Sequence, residues 1–220
     1  EFGLFSVALL AADSGSTRII VDTAGDGDCT NNCPVLPLAD YVSRNGGFAG
    51  INGGYFCPLD YASCQGKINT FDTLVMNSRA KTIFNRAQNE RTSPVPLLVV
   101  NGGQMTFYEQ TSQWGIDQGQ GGALANHPIL VRGGRAVVTE SLADEKQRQR
   151  GLKGFIAKKG GQIFIGHVFA ASVGEDAKVL EVLGMDDALN LDGGGSGALW
   201  AGGYKVGPGR QLPVAIIFKH

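Results

Sequence analysis

The sequence predicts an α+β fold in a single domain, residues 1–220, with a strand-rich mixed sheet core and a few flanking helices. Three observations predict it. Short apolar runs recur along the chain, most too brief for helices and several with the alternation of a strand. The 33 glycines cluster between those runs, where the chain must turn. Few segments carry helix start and stop signals. No repeat, collagen-like period or low-complexity tract is visible.

In chain order, residues 2–12 and 17–22 read as a hairpin turned at Asp13-Ser14-Gly15-Ser16. Residues 37–45 read as a short helix, with Pro37 near its start and Gly46-Gly47 past its end. Strands are expected at 49–51, 72–76, 97–100, 105–108, 129–131 and 136–138. Asn45-Gly46-Gly47 and Asn101-Gly102-Gly103 read as turns or caps. The polar segment 109–122 reads as a loop over a site or a long surface connection. Residues 154–157 and 162–168 form a second hairpin through Lys158-Lys159-Gly160-Gly161. Ser172 and Glu175 have the spacing of a capping box for a helix at 175–183, which Gly184 ends. Strands at 187–191, 198–200 and 214–218 complete the chain.

Composition narrows the function classes. A hydrophobic share of 43% with 18% charged residues describes a globular chain with a substantial core. A net charge of -1 gives no electrostatic drive toward nucleic acid or an anionic membrane. A basic stretch at 132–159 is interrupted by Asp144 and Glu145 and reads as a solvated loop with a phosphate-facing arginine as the functional alternative. The apolar run at 2–12 is too short to span a bilayer and reads as a strand, not the core of a signal peptide. The start at Glu1, without methionine, is expected of a processed or trimmed chain.

Four cysteines favour an oxidising compartment, secreted, extracellular or periplasmic. They allow three pairings, of which the local ones, Cys29–Cys33 and Cys57–Cys64, are favoured. Each local bridge contributes only about 2 kcal/mol, so pinning loops is its more useful effect. A four-cysteine zinc site is the rival, although neither pair has the commonest spacing.

Two segments carry chemistry. In the first, Ala188-Leu189-Asn190-Leu191 alternates like a strand and delivers Asp192 to Gly193-Gly194-Gly195-Ser196. Glycines strip side chains from the bend, so its amides can approach a sugar or phosphate closely. In the second, Ile51 leads into Asn52-Gly53-Gly54-Tyr55-Phe56, where an amide that donates and accepts precedes two aromatics. The bland reading of both is a glycine turn at the end of a strand. His127 and His167 lie in no metal or triad pattern, Ser196 is not in a nucleophile elbow, and the glycine runs lack a Walker lysine. No metal or cofactor is expected.

Together, Ile51-Asn52-Gly53-Gly54-Tyr55-Phe56 and Asn190-Leu191-Asp192-Gly193-Gly194-Gly195-Ser196 resemble the phosphodiester glycosidase family, with support from Gly121–Leu124 and Pro128–Gly134. The resemblance implies an extracellular hydrolase that cleaves a sugar-1-phosphodiester of the N-acetylglucosamine-phosphate type. It implies Asp192 as the charge that stabilises a cationic sugar transition state. It implies Arg150 as the cation that holds the phosphate and Asn52 as the group that orients a sugar hydroxyl or acetamide. Gly53, Gly54, Tyr55, Gly193, Gly194, Gly195 and Ser196 are then substrate-binding, with a carbohydrate or sugar phosphate as the partner. The family's Pro-Arg-Thr or Pro-Arg-Ser is replaced by Arg148-Gln149-Arg150-Gly151, and its next strand-ending aspartate is absent at Ile163-Phe164-Ile165-Gly166-His167. These departures motivate the alternative, a catalytically silent extracellular module that binds glycans or assembles with its own copies into a surface layer or filament.

Overall fold

The computed structural model describes residues 3–86, 94–115 and 121–220. Its strands form three sheets. The largest has the order β1 (Val7–Asp13), β12 (Gln162–Ala171), β11 (Gly151–Lys159), β13 (Asp187–Leu191), β9 (Ile129–Arg132) and β10 (Arg135–Ala136). The second has the order β15 (Tyr204–Val206), β14 (Leu199–Trp200), β3 (Ala49–Asn52), β16 (Val214–Lys219) and β2 (Arg18–Thr23). The third has the order β5 (Ile83–Phe84), β4 (Val75–Met76), β8 (Gly122–Ala125), β6 (Leu97–Asn101) and β7 (Gln104–Tyr108). Among the elements of the described residues, three α-helices flank them: α1 (Leu38–Asn45), α2 (Glu145–Arg148) and α3 (Val173–Val182).

The central core draws on all three sheets, with Ile165 and Leu189 from the first, Ile51 and Ile216 from the second, and Leu98 and Leu124 from the third. Residues alternate across each strand, so the outer faces need their own cover. In β16, Ile216 and Phe218 join the central core while Ala215 and Ile217 pack beneath α1. Leu38, Tyr41 and Val42 of α1 fill that layer. Val173, Ala177 and Leu180 of α3 cover the outer face of the first sheet in the same way. Both faces of β16 are thus buried, which is why its sequence is nearly all apolar.

The helix signals are realised. Pro37 precedes α1, and Gly46 ends it in the left-handed conformation at φ 60°. Ser172 accepts from the Glu175 N–H at 3.1 Å and its own N–H is taken by the Glu175 carboxylate at 2.9 Å. The second hairpin forms as β11 and β12. Both local disulfides form, Cys29–Cys33 and Cys57–Cys64, and the zinc alternative falls.

Other expectations are corrected. The strands at the start of the chain form, but not as a hairpin. β1 pairs with β12 and β2 pairs with β16, so the Asp13 turn hands the chain from one sheet to another. The Asp13 carboxylate accepts the N–H groups of Gly15 and Ser16, both at 3.0 Å, which fixes the turn without fixing who pairs across it. All described ladders are antiparallel, so the sheets are not mixed. The strands expected at 72–76 and 136–138 shrink to two residues each, and β5, β8, β15 and α2 were not anticipated. Of the polar segment 109–122, residues 116–120 lie outside the described residues, while Thr111–Trp114 form a 3-10 turn that buries Trp114.

One buried charge ties the second and third sheets to α1. Asp22 on β2 is fully buried and accepts from Arg44 Nε at 2.7 Å, Asn45 Nδ2 at 2.6 Å and Asn77 Nδ2 at 3.1 Å. Removing one member of such a network strands the others. Asp22→Ala is therefore expected to lower stability by about 3–5 kcal/mol in denaturant titration.

Candidate active site

The ends of β3, β8 and β13 converge, and two buried asparagines sew them together. Asn52, at the end of β3, donates through Nδ2 to the Asp192 carbonyl at 2.7 Å and the Gly53 carbonyl at 3.3 Å. Its Oδ1 accepts the Ala198 N–H at 3.0 Å and His167 Nε2 at 3.1 Å. The side chain thus brackets the glycine bend, holding the residue before it and the residue after it. Asn126, just past β8, donates to the Asn190 carbonyl at 2.7 Å and accepts the Tyr55 N–H at 3.0 Å. Both asparagines are 0% exposed. Burial is tolerated because almost every polar atom has a partner.

Asn52 fixes the imidazole as well. Its amide nitrogen serves two carbonyls, so its oxygen must accept and His167 Nε2 must carry the proton. Burial holds His167 down at about 4, so the ring is neutral.

Two glycines permit the close packing. A Cβ on Gly154 of β11 would stand 2.6 Å from the Asp192 carbonyl, and one on Gly193 would stand 2.2 Å from the Leu152 carbonyl. Neither contact is physical, so both positions require a bare backbone.

Beyond these joints lies a cleft of about 580 Å³. Asp192 lines it, half-buried, with its Oδ1 accepting the Gly193 N–H at 2.8 Å. Burial raises its carboxyl to about 6, with Asp72 adding to the rise, while hydrogen bonds from Ser196 and Gly193 and the charge of Arg210 oppose it. Ser196 is 1% exposed and accepts Arg210 Nη1 at 3.3 Å, so it links the arginine to the carboxylate. Arg210 is itself held by Asp60, at 3.0 and 2.5 Å, and lies over the Tyr61 ring.

The expected site residues divide into two groups. Asp192, Arg150, Tyr55, Gly193, Gly194 and Ser196 line the cleft. Asn52, Gly53, Gly54 and Gly195 do not. The Asn52 segment and the Asp192 loop do converge, but by direct contact, not across a cleft. The amide of Asn52 is used up inside the protein, so no donor or acceptor remains on it for a sugar. Arg150 is exposed and ion-paired with Glu175.

Several lining residues escaped sequence reasoning. Lys153 is half-buried, and burial pulls it below the ordinary lysine range. Asp72 is held above the usual carboxylate range by the protein packed around it, although it remains solvent-accessible. Tyr55 accepts from Asn190 Nδ2 at 2.6 Å, and its ring meets His127 edge-on at 5.2 Å. Gln147 bonds His127 Nδ1 at 3.2 Å. The Gly207-Pro208-Gly209-Arg210 loop was the one overlooked sequence signal, a rigid turn ending in a cation.

The sequence pattern of the phosphodiester glycosidase family matches residues 45–219. The chain belongs to that family. The matched span holds every cleft residue named above. The phosphodiester glycosidase fold also agrees with solved structures. The zebrafish N-acetylglucosamine-1-phosphodiester alpha-N-acetylglucosaminidase catalytic domain, auto-inhibited by its pro-peptide, is 13% identical with a TM-score of 0.71, over 99% of this chain and 84% of that one. A hypothetical protein from Synechocystis is 14% identical with a TM-score of 0.63, over 97% of this chain and 59% of that one. A Burkholderia pseudomallei protein named as exported is 13% identical with a TM-score of 0.61, over 98% of this chain and 74% of that one. At these identities the likeness speaks for the fold. No curated protein matches the chain in sequence.

Asn52→Ala removes four hydrogen bonds and strands the partners in the interior. A buried group left unpaired costs about 1–3 kcal/mol. The variant is expected to melt well below the wild type, and any loss of function should track that loss of stability.

Proposed function

We propose that the protein hydrolyses the bond between the anomeric carbon of a sugar, of the N-acetylglucosamine type, and a phosphodiester oxygen. The single observation that carries this reading is the cleft itself. It sets one carboxyl, Asp192, against a wall that holds five cations, Lys67, Lys146, Arg150, Lys153 and Arg210, and only two further carboxyls, Asp72 and Asp144. A chain of net charge -1 has gathered positive charge at one place. That suits an anionic leaving group beside a developing sugar cation.

The chemistry follows from those charges. As the sugar–phosphate bond lengthens, the ring gains positive charge, and the ionised Asp192 carboxylate stabilises it. The glycine-bend hydrogen bonds and Ser196 hold that carboxylate in place. The departing phosphomonoester is a weak base, so the need for a general acid is smaller than in an ordinary glycosidase. Arg150 and Lys153 neutralise the departing phosphate, Arg150 with a planar fork and Lys153 as a point charge. Asp72 lines the same cleft, and its charge is felt at Asp192. The two disulfides, and the likeness to a protein named as exported, support a place outside the cytoplasm. No helix among the described residues is long and apolar enough to cross a membrane.

The silent-module reading draws on a specific observation too. The place of the family's strand-ending aspartate holds His167, which is buried and committed to Asn52. A panel of sugar phosphodiesters separates the two, because hydrolysis releases a reducing sugar and a phosphomonoester. Turnover is expected, and none across the panel would favour the module.

Asp192→Asn keeps the shape and removes the charge. It is expected to cut kcat by roughly 10²- to 10³-fold, with a melting temperature at neutral pH no lower than that of the wild type, because burial disfavours the charged carboxylate. The pH profile should show the same group. The folded carboxyl is raised, so its ionised fraction falls as pH drops through about 6. kcat/KM should therefore fall below that pH and reach a plateau above it. Arg150→Ala and Lys153→Ala should each lower turnover of a phosphodiester by about 10- to 100-fold. Both should spare a glycoside with an uncharged leaving group, because only the phosphodiester presents an anion.

A further inference from the structure

Asn190 sits two positions before Asp192 on the same face of β13, while Leu189 and Leu191 point into the central core. It lines the cleft, yet the residue is 1% exposed. Its Nδ2 donates to Tyr55 Oη at 2.6 Å and to the His127 carbonyl at 2.9 Å, so both amide hydrogens are used. The His127 carbonyl can only accept, which rules out the flipped amide. The main chain of Asn190 is also engaged, its N–H with the Pro128 carbonyl at 3.1 Å and its carbonyl with Asn126. What remains is Oδ1, a buried acceptor with no hydrogen-bond partner among the described residues.

An unpaired buried acceptor is costly, and this one is held rigidly in that condition by its neighbours. A ligand that brings a hydrogen would satisfy it. That hydrogen cannot come from the phosphate. A phosphodiester oxygen carries no proton at neutral pH and would be repelled by the amide oxygen. The group that meets Oδ1 therefore lies outside the phosphate, and the sugar supplies hydroxyl and amide donors of the right kind.

We infer that Asn190 Oδ1 accepts a hydrogen bond from a hydroxyl or amide N–H of the bound sugar, which makes Asn190 a specificity-determining residue. This rests on the reading of the cleft as a sugar phosphodiester site. Tyr55 and His127 position it, one as the acceptor that fixes the amide and the other as a carbonyl that blocks its flip. A sugar lacking the donor would leave Oδ1 unpaired in the complex, and sites built around such a bond discriminate strongly against the analogue without it.

The test is binding of free sugars by calorimetry, using N-acetylglucosamine, glucose and a series of singly deoxygenated analogues, with the wild type, Asn190→Leu and Tyr55→Phe. The wild type is expected to bind one deoxy or des-acetamido analogue at least about tenfold more weakly than its parent. Asn190→Leu should bind the parent and that analogue alike. Tyr55→Phe keeps the ring, removes one of the two bonds that hold the amide, and should weaken the same discrimination, which decides the matter if Asn190→Leu does not fold. Undiminished discrimination in the folded variants overturns the inference, as does failure of the wild type to bind any of these sugars. Discriminating binding without turnover of any phosphodiester would sink the proposed activity and leave Asn190 in its role.

Discussion

The candidate-site face of this protein depends on the side chain of Asn52. Its amide joins the end of one sheet to the end of another, and it spans the glycine bend like a staple. Nδ2 takes the Asp192 carbonyl before the bend, and Oδ1 takes the Ala198 N–H after it. A residue with only a donor or only an acceptor could not do both. The bend itself, freed of side chains, packs its bare backbone against Leu152 and Arg210. Its position is imposed from below by Asn52, and the Gly53 and Asp192 carbonyls with the Ala198 N–H fix which way round the Asn52 amide sits. Asn126 performs the matching task between the third sheet and β13.

That foundation lets the surface above carry unbalanced charge. Asp192 gives up solvent and is pushed toward its neutral form, but a backbone N–H, a serine hydroxyl and the field of Arg210 pull it back. The result is a carboxylate near the middle of the biological pH range, where small changes in the cleft alter its charge. Around it, cations outnumber carboxyls. Arg150 and Arg210 are each held by a carboxylate partner, whereas Lys153 is half-buried with no ion pair shorter than 4 Å among the described residues. Entry of a phosphate anion would relieve that imbalance.

The sequence revealed what is decided locally. Helix caps, the β11–β12 hairpin and the short-range disulfides depend on residues a few positions apart, and each was legible. The two glycine segments were legible as a pair that comes together in the fold, and Asp192 lines the cleft as its sequence context suggested. Partnership between distant strands was not. Asp13 to Ser16 announce a turn, but nothing in those residues says that β1 will pair with β12 and β2 with β16. Asn52 illustrates the same limit at the site. Its chemistry suits a ligand or a carbonyl equally, and only the approach of β13 decides that carbonyls take it. Asp72 escaped because it stands in no motif, and Arg210 because its glycine-proline turn does not say where it lands; both reach the cleft only through the folding of loops.

The account stands most directly on which bond breaks. Hydrolysis of a sugar phosphodiester in heavy-oxygen water labels whichever fragment water attacks. Attack at the anomeric carbon, beside Asp192, should put the label in the released sugar and leave the phosphomonoester unlabelled. Label in the phosphate would mean that the cations of the cleft serve a phosphoryl transfer instead, and the role assigned to Asp192 would be wrong.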